Sequence, residues 1–149
     1  MLLDPSLSGE DIVIIGAGLV GCETGLWLSQ MGKNVTMVEA LPFICGGPHN
    51  MPFMNWDMMK DLLLYNHIKV MTSTKVEKID SDGIKVSNNN GENIIKADTI
   101  IAAIGYKSYN PLQDALDNSE KETYNIGDSR EVKNIMQAIW DAFEVAKNI

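Results

Sequence analysis

Apolar residues recur along this chain with more than one rhythm. Asp11 to Ile15 (DIVII) is a short run rich in β-branched residues, the pattern of a strand buried on both faces. Three glycines follow, and then a helical pattern in which Val20, Thr24, Trp27, Leu28 and Met31 share one face until Gly32 stops it. Asn34 to Glu39 (NVTMVE) reads as a second strand. Strand, glycine turn, helix and strand in close succession make a βαβ unit. Residues 41–53 break the rhythm with Pro42, Gly46, Gly47, Pro48 and Pro52, a long loop that serves either as a functional lid or as a mobile edge. Trp56 to Tyr65 is predicted as a second helix, with Asn55 as N-cap and Asn66 in the left-handed position that ends it. His67 to Met71 is a third strand.

The rhythm then shortens. Lys75 to Asp80, Ile84 to Ser87 and Asn93 to Lys96 are expected as three antiparallel strands, with Ser81-Asp82-Gly83 and Asn90-Gly91 as turns between them. Thr99 to Ile104 (TIIAAI) is again a buried-type strand, ending at Gly105. Leu112 to Leu116 is a short helix and Tyr124 to Gly127 a brief strand. Val132 to Lys147 is an amphipathic helix with Val132, Ile135, Met136, Ile139, Phe143 and Ala146 on one face. The expected class is α/β: a parallel sheet flanked by helices, with the antiparallel meander covering one face.

Composition narrows the function. A chain of 149 residues and 16.5 kDa suits one ordinary domain with an appended piece. With 12 basic and 20 acidic residues the formal charge is -8, which repels phosphate backbones and excludes nucleic acid and anionic membranes as expected partners. No apolar run is long enough to span a bilayer. Residues 1–10 lack the plan of a signal peptide and read as a linker or tail. Cys22 and Cys45 form no CxxC motif, so a reducing, cytoplasmic compartment is expected. Cys22 reads as a small packed residue, and no second cysteine is expected to accompany Cys45 as a redox pair. His49 and His67 have no metal-ligand spacing with either cysteine, so no metal site is expected. No residue is singled out as a general acid, base or nucleophile.

The chemistry lies in Gly16-Ala17-Gly18-Leu19-Val20-Gly21, a GxGxxG sequence that leaves a strand and opens a helix. Gly16 permits the tight turn, Gly18 keeps side chains off a pyrophosphate, and Gly21 lets helix and strand approach. Amides at the helix start then hold the phosphates, helped by the helix dipole. This makes the expected architecture a Rossmann-like three-layer domain. Glu39 ends the second strand, where a carboxylate accepts both hydroxyls of the adenosine ribose. A 2′-phosphate would meet like charge there, so NAD(H) is expected over NADP(H), with FAD as the other candidate. The bland alternatives are a glycine turn chosen for packing and a solvated carboxylate.

GAGLVGCETGLWLSQMGKNVTMVE, ADTIIAAIG and NIGDS together resemble the pyridine-nucleotide domain of flavoproteins that bind two dinucleotides. More narrowly, residues 11–149, and above all GDSREVKNIMQAIWDAFEVA, resemble the C-terminal region of the NADH:flavin oxidoreductases that include 2-enoate reductase and 2,4-dienoyl-CoA reductase. That resemblance implies an NAD-binding domain over 11–110 and, over 111–149, the returning part of an FAD domain. It implies a parent enzyme with a (β/α)8 barrel, FMN, a 4Fe-4S cluster and FAD, none of them held by this stretch alone, and reduction of an activated C=C bond. The partners implied are the rest of the FAD domain and the barrel. Their removal would leave apolar surface on the last helix and near Met51, Met54, Met58 and Met59, favouring a homo-oligomer.

The resemblance also implies places for four further residues: Glu23 near the nicotinamide, Ile104 and Gly105 in a turn approaching the NAD, and Asp128 near the FAD ribityl chain. For each, a packing, solvated or element-ending role stays open. Two other functions also stay open: a stand-alone nucleotide-sensing module without catalysis, and the FAD site of a small flavoprotein.

Overall fold

The structure, a computed structural model, describes residues 7–149. It divides into two compact units, one ending at Gly105 and the other running from Tyr106 to Ile149.

The first unit is built on four parallel strands. They are β1 (Asp11–Ile15), β2 (Asn34–Val38), β3 (Lys69–Met71) and β7 (Thr99–Ala102), in the order β3-β2-β1-β7. The chain winds outward from β1 to β2 and β3, then returns to the other side of β1 as β7. That reversal puts a crevice at the carboxyl ends of β1 and β7, the place where ligands settle in open α/β sheets. The alternation of side chains along β1 explains the layers. Ile12 and Ile14 face α1 (Leu19–Gln30) and α2 (Phe53–Tyr65), packing with Leu28, Met37, Met59 and Leu63. Val13 and Ile15 face the meander β4 (Lys75–Asp80), β5 (Gly83–Asn88) and β6 (Gly91–Lys96), where Val38, Ile84 and Val86 close a second cluster. Helices, parallel sheet and antiparallel meander are the three layers expected from the sequence.

Several boundaries differ, each for a physical reason. The buried side of α1 is Gly21, Cys22, Gly25 and Leu28, whereas Val20 and Met31, expected inside, are exposed. Small residues win because they let the helix lie against the sheet: a Cβ on Gly25 would stand 3.2 Å from the Met37 sulfur. Helix α2 begins at Phe53 with Pro52 as N-cap, before the expected Asn55, since proline's fixed φ suits a helix entry. The left-handed residue after it is His67 (φ 56), not Asn66 (φ -86). Strand β3 starts at Lys69 and β7 ends at Ala102, each shorter than expected. Residues 1–6 of the expected linker lie outside the described residues. Gly9 and Glu10 are fastened, their amides donating to Thr99 Oγ1 at 2.9 Å and Asp98 Oδ2 at 3.1 Å.

The second unit holds α3 (Gln113–Asp117), a 3-10 turn at Gly127–Ser129 and α4 (Ile135–Lys147). The strand expected at Tyr124 to Gly127 does not form; Ile126 is extended, but Gly127 turns with φ 61. Helix α4 starts three residues later than expected because Asn134 caps it, its side chain accepting from the Gln137 amide at 3.0 Å.

Candidate functional site

The glycine turn sits at the crevice, and its glycines differ in what they avoid. Gly16 has φ 99, and a Cβ there would lie 2.4 Å from the Ala103 carbonyl oxygen. Its amide donates to Val38 O at 2.8 Å, stitching the turn to β2. A Cβ on Gly21 would lie 2.1 Å from the Gly16 carbonyl oxygen, so helix and turn touch backbone to backbone. Both positions exclude side chains for reasons internal to the fold. Gly18 does not: it is extended (φ -66, ψ -179), and an added Cβ would meet nothing within 4 Å. The space it leaves is open.

Gly18 is also the N-cap of α1, and no side chain caps that end. Helix geometry leaves the amides of Leu19, Val20 and Gly21 without intrahelical acceptors. The side chains of Leu19 and Val20 are exposed. The result is a helix N-terminus with donors and positive dipole directed into a clear space, which suits a diphosphate.

Glu39 follows β2 and is half-buried. Its Oε2 accepts from the Ala17 amide at 2.7 Å and its Oε1 from the Leu41 amide at 2.8 Å. It is therefore fixed to the glycine turn rather than merely solvated. Each oxygen keeps a further lone pair for a hydroxyl.

The other expected residues divide by unit. Ile104 and Gly105 leave the end of β7, next to the Ala103 that touches Gly16. Ile104 is 77% exposed, and Gly105 has φ 89 with nothing within 4 Å of an added Cβ. Glu23 is an exposed residue of α1. Asp128 belongs to the second unit, in the 3-10 turn, where its Oδ1 accepts from the Lys133 amide at 3.3 Å.

One arrangement was invisible in the sequence. Cys22 on α1 and Cys45 in the loop, 23 residues apart, bring their sulfurs to 3.8 Å. Both are free thiols. Ala17 joins them: its carbonyl accepts from the Cys45 amide at 2.7 Å and from the Cys22 thiol at 3.4 Å. Burial pushes the Cys22 thiol well above the ordinary thiol range. Burial raises Cys45 too; a hydrogen bond with Cys22 opposes that rise, and the Glu23 and Glu39 charges reinforce it. Cys45 is held with φ 52, followed by Gly46 at φ 71 and Gly47 at φ 97. A left-handed residue with a side chain costs about 1–3 kcal/mol. Trp56 steadies the same turn from α2, its indole N–H donating to Ile44 O at 3.1 Å. No spacing rule links the two cysteines; the one sequence clue was a cysteine set before two glycines.

His49 and His67 are exposed, and no group of metal-ligating side chains occurs among the described residues. No helix among them is long and apolar enough to cross a membrane.

Comparison with known proteins gives the site its context. Residues 2–139 match the family described as pyridine nucleotide-disulphide oxidoreductase. The chain is 44% identical to a cinnamate reductase of Clostridium sporogenes over 151 residues, covering 100% of this chain and 22% of that protein. It is 33% identical to an NADH oxidase of Thermoanaerobacter brockii, covering 94% of this chain and 21% of the relative. Among solved structures it superimposes on a 2-naphthoyl-CoA reductase in complex with 2-naphthoyl-CoA, with a TM-score of 0.81 and 27% identity. That match covers 95% of this chain and 21% of the other. The chain thus spans about a fifth of the length of these three proteins.

Proposed function

This chain belongs to the pyridine nucleotide-disulphide oxidoreductase family, and on that footing we propose that it is the NADH-holding part of a flavin-dependent oxidoreductase. The observation that carries the reading is Gly18: an uncapped helix N-terminus facing open space, beside a carboxylate tied to the same turn. The diphosphate of a dinucleotide lies against the first amides of α1, with no cation needed. Glu39 accepts from the two hydroxyls of the adenosine ribose and repels a 2′-phosphate. Past the end of β7, Gly105 brings no side chain to the path of the nicotinamide half, Ile104 lies beside that path, and Glu23 stands at its flank. A reduced nicotinamide held by these residues would supply the hydride that a flavin-dependent reduction of an activated C=C bond in the parent enzyme needs. The similarity to cinnamate reductase supports the enoate class of substrate over a CoA thioester, and the 2-naphthoyl-CoA reductase likeness keeps the thioester in view.

The residues of this chain position and orient; none is asked to move a proton. Asp128 and residues 111–149 are assigned to a returning FAD domain, with the rest of that domain, FMN, the 4Fe-4S cluster and the barrel supplied by the parent protein. The small share of each relative that this chain covers supports such a division.

Titration calorimetry tests the reading. NADH binds and NADPH binds at least tenfold more weakly, a difference of about 1.4 kcal/mol. Glu39→Gln weakens NADH by about tenfold and narrows the gap to NADPH. Tighter NADPH than NADH binding by the unaltered chain overturns the assignment of Glu39. Binding of FAD alone, with neither nicotinamide nucleotide, makes the turn a flavin site instead.

A further inference from the structure

We propose that Cys22 and Cys45 are a redox-active dithiol, closed to an intrachain disulfide by a low-molecular-weight disulfide, and that closure loosens the glycine turn's grip on a dinucleotide. The second half rests on the proposed function; the first does not.

Geometry carries the inference. The sulfurs lie 3.8 Å apart, so a shift of under about 2 Å brings them to the bonded distance of about 2.0 Å. The two sit on different elements, one on a rigid helix and one on a left-handed loop residue followed by two glycines that can absorb the movement. Strained, side-chain-bearing positions of this kind mark places where the backbone is held for a reason other than packing. Cys22 is fully buried and Cys45 is half-buried, so an external disulfide reaches Cys45 first.

The steps balance. The Cys45 thiolate attacks one sulfur of R–S–S–R, breaking that bond and releasing one thiolate. The Cys22 thiolate then attacks the Cys45 sulfur of the mixed disulfide and expels the second. Two protein thiols are oxidised, one small disulfide is reduced to two thiols, and the two protons released pass to the leaving groups. Glu23 on α1 and Glu39 after β2 are the charged groups that act on both sulfurs, and each disfavours the thiolate, as burial does. Exchange is therefore slow at neutral pH and accelerates as pH rises.

The bond reaches the nucleotide through Ala17. Its carbonyl now accepts from both cysteines, and its amide holds Glu39. Oxidation removes the thiol proton that Cys22 donates and draws the Ile44–Gly46 turn toward α1. Ala17 is fully buried between them and must shift, carrying the Glu39 anchor with it. Displacing that anchor weakens a hydrogen bond from Glu39 to the ribose, which corresponds to about a fivefold fall in NADH affinity.

The test exposes this chain to glutathione disulfide and reads intact mass and a peptide map. The expected product has lost two hydrogens, links the Cys22 and Cys45 peptides, and reverts with dithiothreitol. Cys22→Ser should stop at a mixed disulfide on Cys45, and Cys45→Ser should stay unmodified. Each step should quicken between pH 7 and pH 9. A wild-type chain that keeps the glutathione adduct, or cross-links between two molecules, overturns the proposal without needing either variant to fold. If the cross-link forms but reduced and oxidised chains bind NADH equally, the link to the turn is wrong. If neither form binds NADH, the proposed function fails while the disulfide stands.

Discussion

The stretch ending at Gly105 and the stretch from Tyr106 place their apolar side chains in opposite ways. In the first, Ile12, Ile14, Leu28 and Met37 are all but inaccessible, and even the glycine turn is locked by backbone against backbone. In the second, no described residue is buried, and α4 presents Ile135, Ile139, Trp140 and Phe143 to solvent. One unit is finished as a folding problem. The other has the pattern of a packed helix without the surface that would pack it. An amphipathic helix draws most of its stability from what its apolar face covers, so the two units should respond to the same perturbation on different scales.

Separation is the most drastic way to break this contrast. A chain ending at Gly105 should retain a cooperative urea transition, because both core clusters lie within it. The piece Tyr106–Ile149 should show partial helicity by circular dichroism and no cooperative transition. A sharp melt from that piece would show that the 3-10 turn and α4 carry a core of their own.

Within the first unit, two glycines of one motif should part company. Gly21→Ala forces a Cβ against the Gly16 carbonyl and should cost about 3 kcal/mol in urea denaturation, with nucleotide binding lost as the turn moves. Gly18→Ala meets open space at an ordinary φ and should leave stability unchanged or raise it by up to about 1 kcal/mol. NADH affinity should nevertheless fall at least tenfold, since the methyl enters the space assigned to the diphosphate. A Gly18→Ala chain that binds NADH normally removes the observation on which the proposed function rests.

These two residues also show what could be read in advance. The motif identified Gly16, Gly18 and Gly21, and the strand before it and helix after it were legible because β-branched runs and glycine breaks are local signals. The buried side of α1 was only partly legible: the close approach of Gly21, the packed Cys22 and the inward Leu28 were expected, but Gly25 was not. Periodicity weights large apolar residues, and a helix laid on a parallel sheet selects small ones, hence Gly25 inside and Val20 outside. The expected strand at Tyr124 failed because two apolar residues, Tyr124 and Ile126, specify no partner strand. The Cys22–Cys45 approach depends on where a long loop returns, which is a tertiary fact with no periodic trace.

A milder perturbation acts on the second unit alone. Replacing Trp140 and Phe143 by serine leaves no buried cavity and should change stability by under about 0.5 kcal/mol per site. The apolar patch shrinks, so any concentration-dependent association seen in sedimentation should weaken. The same truncation at Leu28, fully buried, should cost about 2–5 kcal/mol as Leu28→Ala. Equal costs in the two places would mean that α4 is covered in solution.

The smallest expected effect compares two exposed ionisable contacts. In the meander, β4 shifts register between Val76 and Lys78, and the bulged Glu77 reaches across to Ser87 Oγ at 2.6 Å and to Lys75 Nζ at 3.3 Å. The Ser87 hydrogen bond, ahead of Lys75, holds the Glu77 carboxyl below its ordinary value of 4.5. A depressed carboxylate contributes stability that is present above that ordinary value and lost as pH falls through the folded one. In the second unit Glu122 accepts from the Tyr124 hydroxyl and raises it above 10.0. A raised phenol contributes stability that is present below its ordinary value and lost as pH rises through the folded one. The contacts differ in kind, however. Glu77 and Ser87 are joined only when two strands pair, whereas Glu122 and Tyr124 are two residues apart and can meet in an unfolded chain. Ser87→Ala should therefore flatten the acid limb of a midpoint-against-pH curve, most visibly at low salt. Glu122→Gln should leave the alkaline limb almost as it was, and a clear change there would mean that the segment around Tyr124 is ordered by folding as firmly as the meander is.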